Sequence, residues 1–206
     1  MKKFELTSEF VTFLGKKLFR IKALVSFGDV KEGELGGLVE KEENLDQSGN
    51  AWVYGNARIS GDARVSGDAQ VYGNARVSGD AQVSGNAWVS GDARVSGDAW
   101  VSGDARVSGD AQVSGNAWVS GDAWVSGDAW VQNCRDYSAT SCFGSENRTT
   151  TFFRTKDGGI SVRCGCFYGT LNEFREKVKE RHGDSRLAKE YLMLADLMEF
   201  RLSKDE

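Results

Sequence analysis

Gly61-Asp62-Ala63-Arg64-Val65-Ser66-Gly67-Asp68-Ala69-Gln70-Val71-Tyr72 is one six-residue phrase written twice, and the chain writes it fourteen times in unbroken register between Gly49 and Gln132. Read as Ala-x-Val-Ser followed by Gly-Asp or Gly-Asn, the unit alternates. Ala and Val fall on one face of a short strand, x and Ser on the other. Gly-Asp and Gly-Asn are turn pairs that tolerate positive φ. Each unit is therefore a short strand and a corner. A helix would need apolar spacings of three and four, and a glycine every sixth residue opposes one.

Three such corners close a triangular coil of eighteen residues. Val65-Ser66-Gly67-Asp68-Ala69-Gln70 resembles the hexapeptide unit (Leu/Ile/Val)-x-x-x-(small)-x of the left-handed β-helix. That resemblance implies an all-β solenoid, a left-handed parallel β-helix with Val and Ala inward. The array makes about 4.7 coils stacked at roughly 4.8 Å. The core is thin, since each coil contributes three Val or Ile and three Ala. At roughly 1.5–3 kcal/mol per buried Val-sized side chain, one coil alone does not offset the entropy of ordering eighteen residues. Both ends need caps.

Residues eighteen apart should stack on the outer walls. One wall carries Trp52, Gln70, Trp88, Arg106 and Trp124; the second Arg58, Arg76, Arg94, Gln112 and Trp130; the third Arg64, Gln82, Trp100 and Trp118. Such files either make cross-strand ladders or form a binding face. The candidate ligand-binding residues are Trp88, Trp100, Trp118, Trp124, Arg58, Arg76, Arg94 and Arg106. The corners stack Asp and Asn in the same way. Asp92, Asp110 and Asp128 form one acidic column, read either as corner chemistry or as an imitation of nucleic-acid phosphate. The columns lack the mixed ligand loop that calcium prefers.

The 206 residues carry a net charge of −4, which argues against general nucleic-acid binding. Neither a signal peptide nor an apolar run of membrane-spanning length is evident, so a cytoplasmic location is expected. Residues 1–48 read as an N-terminal β cap. Phe10–Leu14 and Leu18–Leu24 are its strands around a Gly15-Lys16-Lys17 turn, and Gly36-Gly37 is a corner of an irregular first coil. Glu43–Ser48 already follows the six-residue register, with Leu45 in place of Ala. Residues 133–206 read as a small α+β module. In it, Arg148–Arg154 and Ile160–Cys164 flank Asp157-Gly158-Gly159 as a β-hairpin. Thr170-Leu171-Asn172-Glu173 is a capping box that opens a helix running to about His182. A second helix over about 185–202 has an apolar stripe of Leu187, Tyr191, Leu194, Leu197 and Met198, a candidate interface for a dimer or trimer.

Cys134, Cys142, Cys164 and Cys166 lack the paired spacing of zinc knuckles and read as reduced thiols, so no metal or other cofactor is expected. Hexapeptide acyltransferases use a histidine on or near the β-helix. Here the single histidine, His182, falls at a helix C-terminus, where its interaction with the dipole suffices. With no nucleophile constellation or projecting loops, an enzyme is not expected.

Leu18–Leu24, Gly36–Leu45, the Gly-Asn-Ala array, Cys164–Thr170 and Lys189–Leu192 together resemble a group of phage and prophage hexapeptide-repeat proteins of unassigned role. The resemblance implies expression in a bacterial host. It supports a non-enzymatic binding protein that counteracts a host defence component, either by sequestering a small nucleotide or by gripping a defence protein. An acidic-surface inhibitor of a DNA-handling protein and a structural spacer or virion component are the other readings. An acyltransferase comes last.

Overall fold

Each rung hangs on the next by main-chain hydrogen bonds. Trp88 N–H donates to the Ala105 carbonyl and Ser90 N–H to that of Val107, both at 2.9 Å. The computed structural model, which describes residues 2–144 and 146–203, is a three-walled parallel β-solenoid closed at both ends by antiparallel sheet. Among the described residues, fourteen two-residue strands run from Trp52–Val53 to Trp130–Val131. Their partners lie eighteen residues apart, as in Trp88↔Arg106, Arg94↔Gln112 and Trp100↔Trp118. The Ala and Val of every unit are buried, and one continuous core runs the length of the array.

The N-terminal cap comprises β1 (Phe4–Phe13), β2 (Lys16–Ala23) and β3 (Leu35–Val39). These pair in the order β1-β2-β3, and β3 then runs parallel to Arg58–Ile59, so the cap extends one solenoid wall. β1 begins well before the expected Phe10. The turn is Leu14-Gly15, one residue earlier than expected, with φ of 49° and 79°. Two successive positive φ values make it the tight hairpin turn whose twist matches the flanking strands.

Gly36-Gly37 is not a corner. Both residues lie inside β3, where a Cβ on Gly36 would sit 2.7 Å from the Trp52 ring and one on Gly37 2.5 Å from a Val53 methyl. The pair lets the cap backbone lie flat on the first coil. Leu45 likewise takes the Val position, not that of Ala, because it bridges Val65. The step from Leu45 to Val53 spans eight residues where later steps span six, so the first coil is two residues longer than the rest.

Glycine carbonyls at the later corners accept from the coil before; Gly103, for example, accepts from Asn86 N–H at 2.9 Å. The first full coil has no regular coil before it, and three cap side chains replace that donor. Lys3 Nζ reaches the Gly49 carbonyl at 3.4 Å, Arg20 that of Gly55 at 2.8 Å, and Asn44 Nδ2 that of Gly61 at 3.0 Å. One donor serves each of the three corners, which keeps carbonyls at the solenoid's end from going unpaired.

At the other end, the expected hairpin is the middle pair of a four-stranded sheet, Tyr137–Phe143, Arg148–Arg154, Ile160–Cys164 and Phe167–Thr170. Adjacent residues of a strand face opposite ways, and the strand Arg148–Arg154 uses both faces. Phe153 closes the solenoid core, whereas Phe152 joins the core beneath the helices. Helix α1 (Leu171–His182) opens with the expected capping box, and α2 (Arg186–Leu202) follows. The buried face of α2 includes Tyr191, Leu194, Ala195 and Met198. Leu197, expected in that stripe, is 56% exposed. It faces out with Met193 and Phe200, because α1 and the sheet cover only the side centred on Ala195.

Candidate functional site

The outward position of each unit puts indoles and guanidiniums in files, and the two caps then cover some of them. Trp52 was expected on the outside and is fully buried. Phe27 and Phe4 meet it edge-on at 5.4 and 6.2 Å, and its Nε1 has no hydrogen-bond partner among the described residues. Arg58 and Arg76, adjacent on their wall, both lie beneath the Phe13 ring, at 4.7 and 4.9 Å from its centre. The ring's negative face relieves the repulsion between two stacked cations. Arg94, next in that file, stays exposed.

On the Trp52 wall the file runs on from the stacked Tyr54–Tyr72 pair, 4.5 Å apart, through Trp88. The Arg106 guanidinium lies 5.5 Å from each of Trp88 and Trp124. Arg163 of the C-terminal sheet then covers Trp124 at 3.7 Å. This file is internally satisfied at its C-terminal end. Burial first, and then the neighbouring Tyr72 hydroxyl, pushes Tyr54 up to about 12, and burial raises Tyr72 as well.

The third wall is different. Trp100 and Trp118 stack 5.3 Å apart with their planes 12° from parallel, exposed by 41% and 51%. Each indole N–H is anchored on a serine of the previous coil, Trp100 on Ser84 at 3.2 Å and Trp118 on Ser102 at 3.3 Å. The chain's own hydrogen bonds hold both rings in place. Beyond Trp118 the wall opens into a groove of about 330 Å³ lined by Trp118, Ser120, Cys134, Tyr137, Ala139 and Arg201. Tyr137 donates its hydroxyl to the Trp118 carbonyl at 2.6 Å, which fixes the groove's end. Tyr137 and Arg201 were not foreseen as site residues. The strand from Tyr137 is polar and lacks clear alternation, and Arg201 meets the wall only through the fold of α2.

The acidic column is partly engaged. Asp92 accepts from Asn74 Nδ2 at 3.1 Å, Asp128 from the Tyr168 hydroxyl at 3.4 Å, and Lys156 reaches the main-chain carbonyl of Asp110 at 3.2 Å. His182 stacks on Tyr191 at 5.8 Å. Among the described residues, no three His, Cys, Asp or Glu side chains gather as a metal site. No helix among them is long and apolar enough to cross a membrane.

Comparison with known families bears on the array alone. Residues 57–69, 69–85, 81–97, 87–103, 99–115 and 111–127 match the model of the YdcK beta solenoid repeat. The array is similar to that repeat. With the three-walled structure, the match supports a repeat β-solenoid protein. It leaves both caps unmatched, and no curated protein matches the chain.

Proposed function

We propose that the chain is a non-enzymatic binding protein whose contact surface is the Trp100–Trp118 wall and the groove at its end. The observation that carries this reading is the pre-ordered, exposed indole pair. A planar group set against Trp118 would extend the stack, with the Arg201 guanidinium at hand for a phosphate or carboxylate. A small nucleotide combines those chemistries, and a planar side chain beside an acid on a protein partner does the same. Rings already held by hydrogen bonds lose little freedom on binding.

The finer readings rest on resemblance. We read the winding as left-handed and of the hexapeptide type, the chain as phage-encoded, and its role as counteracting a host defence component inside the bacterial cell. Self-association through α2 is expected from its apolar stripe; Tyr191, Leu194 and Met198 of that stripe pack inside the chain, so the reading passes to the exposed Met193, Leu197 and Phe200. The acidic-mimic alternative is the weaker one, because Asp92 and Asp128 already accept protein hydrogen bonds.

Calorimetry with mononucleotides and cyclic dinucleotides tests the proposal. Trp118→Ala should weaken binding at least roughly tenfold, on the scale of one lost base–aromatic stack. Trp130→Ala, on another wall, should leave it unchanged. If no nucleotide binds, and a Trp118→Ala phage replicates as well as its parent on defended hosts, the reading fails.

A further inference from the structure

We infer that the C-terminal module holds a second, separate site for a compact organic acid, one apolar ring carrying one anionic group. A cavity of about 260 Å³ lies between α1, the turn that joins the strands Ile160–Cys164 and Phe167–Thr170, and Phe143. Its apolar floor is made by Phe143, Phe167, Phe174 and Tyr191. Phe174 meets Phe152 edge-on at 5.8 Å and Tyr191 at 5.7 Å, and it lies 5.6 Å from Phe167. That interlocked cluster holds the cavity open at a set shape. A cavity of about 150 Å³ admits benzene, so this one takes a single ring with room for an acidic substituent.

The rim supplies the charge. Arg148, Lys177 and Arg181 surround the opening with Glu146 as the one acid among the lining residues. This cation excess stands in a chain whose net charge is −4. Arg148 holds Glu146 only loosely, at 3.9 Å, and Lys177 is paired with Glu180 outside the lining. Arg181 has no ion-pair partner among the described residues. The α1 carbonyls end here and would repel an anion, but the last turn carries Lys179, Arg181 and His182 against them. An apolar hollow with a few convergent polar groups is the form small-molecule sites take, and a guanidinium is suited to a carboxylate or phosphate. No residue of this site belongs to the Trp118 groove, so either site can fail without the other.

The test titrates the full-length protein with benzoate, and with benzyl alcohol as the uncharged counterpart, following amide shifts by NMR. Benzoate should bind roughly tenfold more tightly than benzyl alcohol, as one charge-assisted contact implies, and should move the amides of Cys164 and Val178. Arg181→Gln, an exposed change, should reduce benzoate to the level of the alcohol and leave the alcohol's affinity unaltered. Lys177→Gln should weaken benzoate in the same direction. Equal affinity for the two probes, benzoate binding unchanged in Arg181→Gln, no binding of either probe, or shifts confined to the solenoid walls would each overturn the inference.

Discussion

At the scale of single residues, corner glycines answer to two constraints that the structure separates. Gly85 sits at φ 68°, and a Cβ there would lie 2.9 Å from the Gly103 nitrogen of the next coil. Gly121 has nearly the same φ, 64°, but open space around it. Left-handed strain costs an alanine about 1–2 kcal/mol at either position, and the clash adds roughly 1–3 kcal/mol at Gly85 alone. Urea unfolding should therefore show Gly85→Ala as clearly the more destabilised of the two. Lys3 gives a pH signature. Burial pulls its ammonium down from 10.5 to about 8, against the pull of Asp46 and Asp68. Below about pH 8 it is charged in both states, and the desolvation cost is present in full. As pH rises from 8 towards 10.5 the folded state loses the proton first, so the unfolded state binds more protons and stability rises. Lys3→Met lacks that titration. The wild type's melting temperature should gain on the variant's across this window and hold a constant offset below it.

At the scale of elements, the strand Arg148–Arg154 joins two cores. Phe153→Ala should cost about 3–5 kcal/mol and raise hydrogen exchange in the last solenoid rungs. Phe152→Ala should cost a similar amount but loosen α1 and α2 first. Equal exchange profiles in the two variants would show that the strand does not divide the cores. Elements with strong local signals were legible in the sequence: the Asp157-Gly158-Gly159 hairpin and the Thr170–Glu173 capping box. The strands Tyr137–Phe143 and Phe167–Thr170 were not. Ser138, Thr140 and Ser141 offer no apolar alternation, and these segments become strands by pairing with an edge already formed. Leu197 was misplaced for a related reason. An apolar stripe shows that a helix has a buried side, but the neighbours decide where that side is centred.

For the whole molecule, eighteen residues are the unit that shortening respects. Removing 67–84 joins Ser66 to Gly85 and returns every later residue to its own wall, leaving Trp100 on Trp118. Removing 85–102 also preserves the walls but sets Gln82 beside Trp118. Both variants should fold with one cooperative transition. The exciton signal of the stacked indoles in circular dichroism should survive in the first and vanish in the second. If both keep the signal, the Trp100–Trp118 pair is not its source. Ligand binding at the Trp118 groove should follow the same division.

The repeat determined the rung length, the inward Ala and Val, and the residue files of the three walls. An invariant six-residue phrase with a glycine corner leaves one way to bury its small apolar face. Which members of each file stay in solvent was decided by the caps. Ala51-Trp52-Val53 and Ala87-Trp88-Val89 are the same words in the same register, yet Trp52 is 0% exposed and Trp88 45%. Solvent exposure depends on what packs over a position from far along the chain. Phe4, Phe27 and the paired glycines of β3 reach Trp52, whereas the C-terminal cap meets Trp118 at its main-chain carbonyl, through Tyr137, and the Trp100 and Trp118 rings stay exposed.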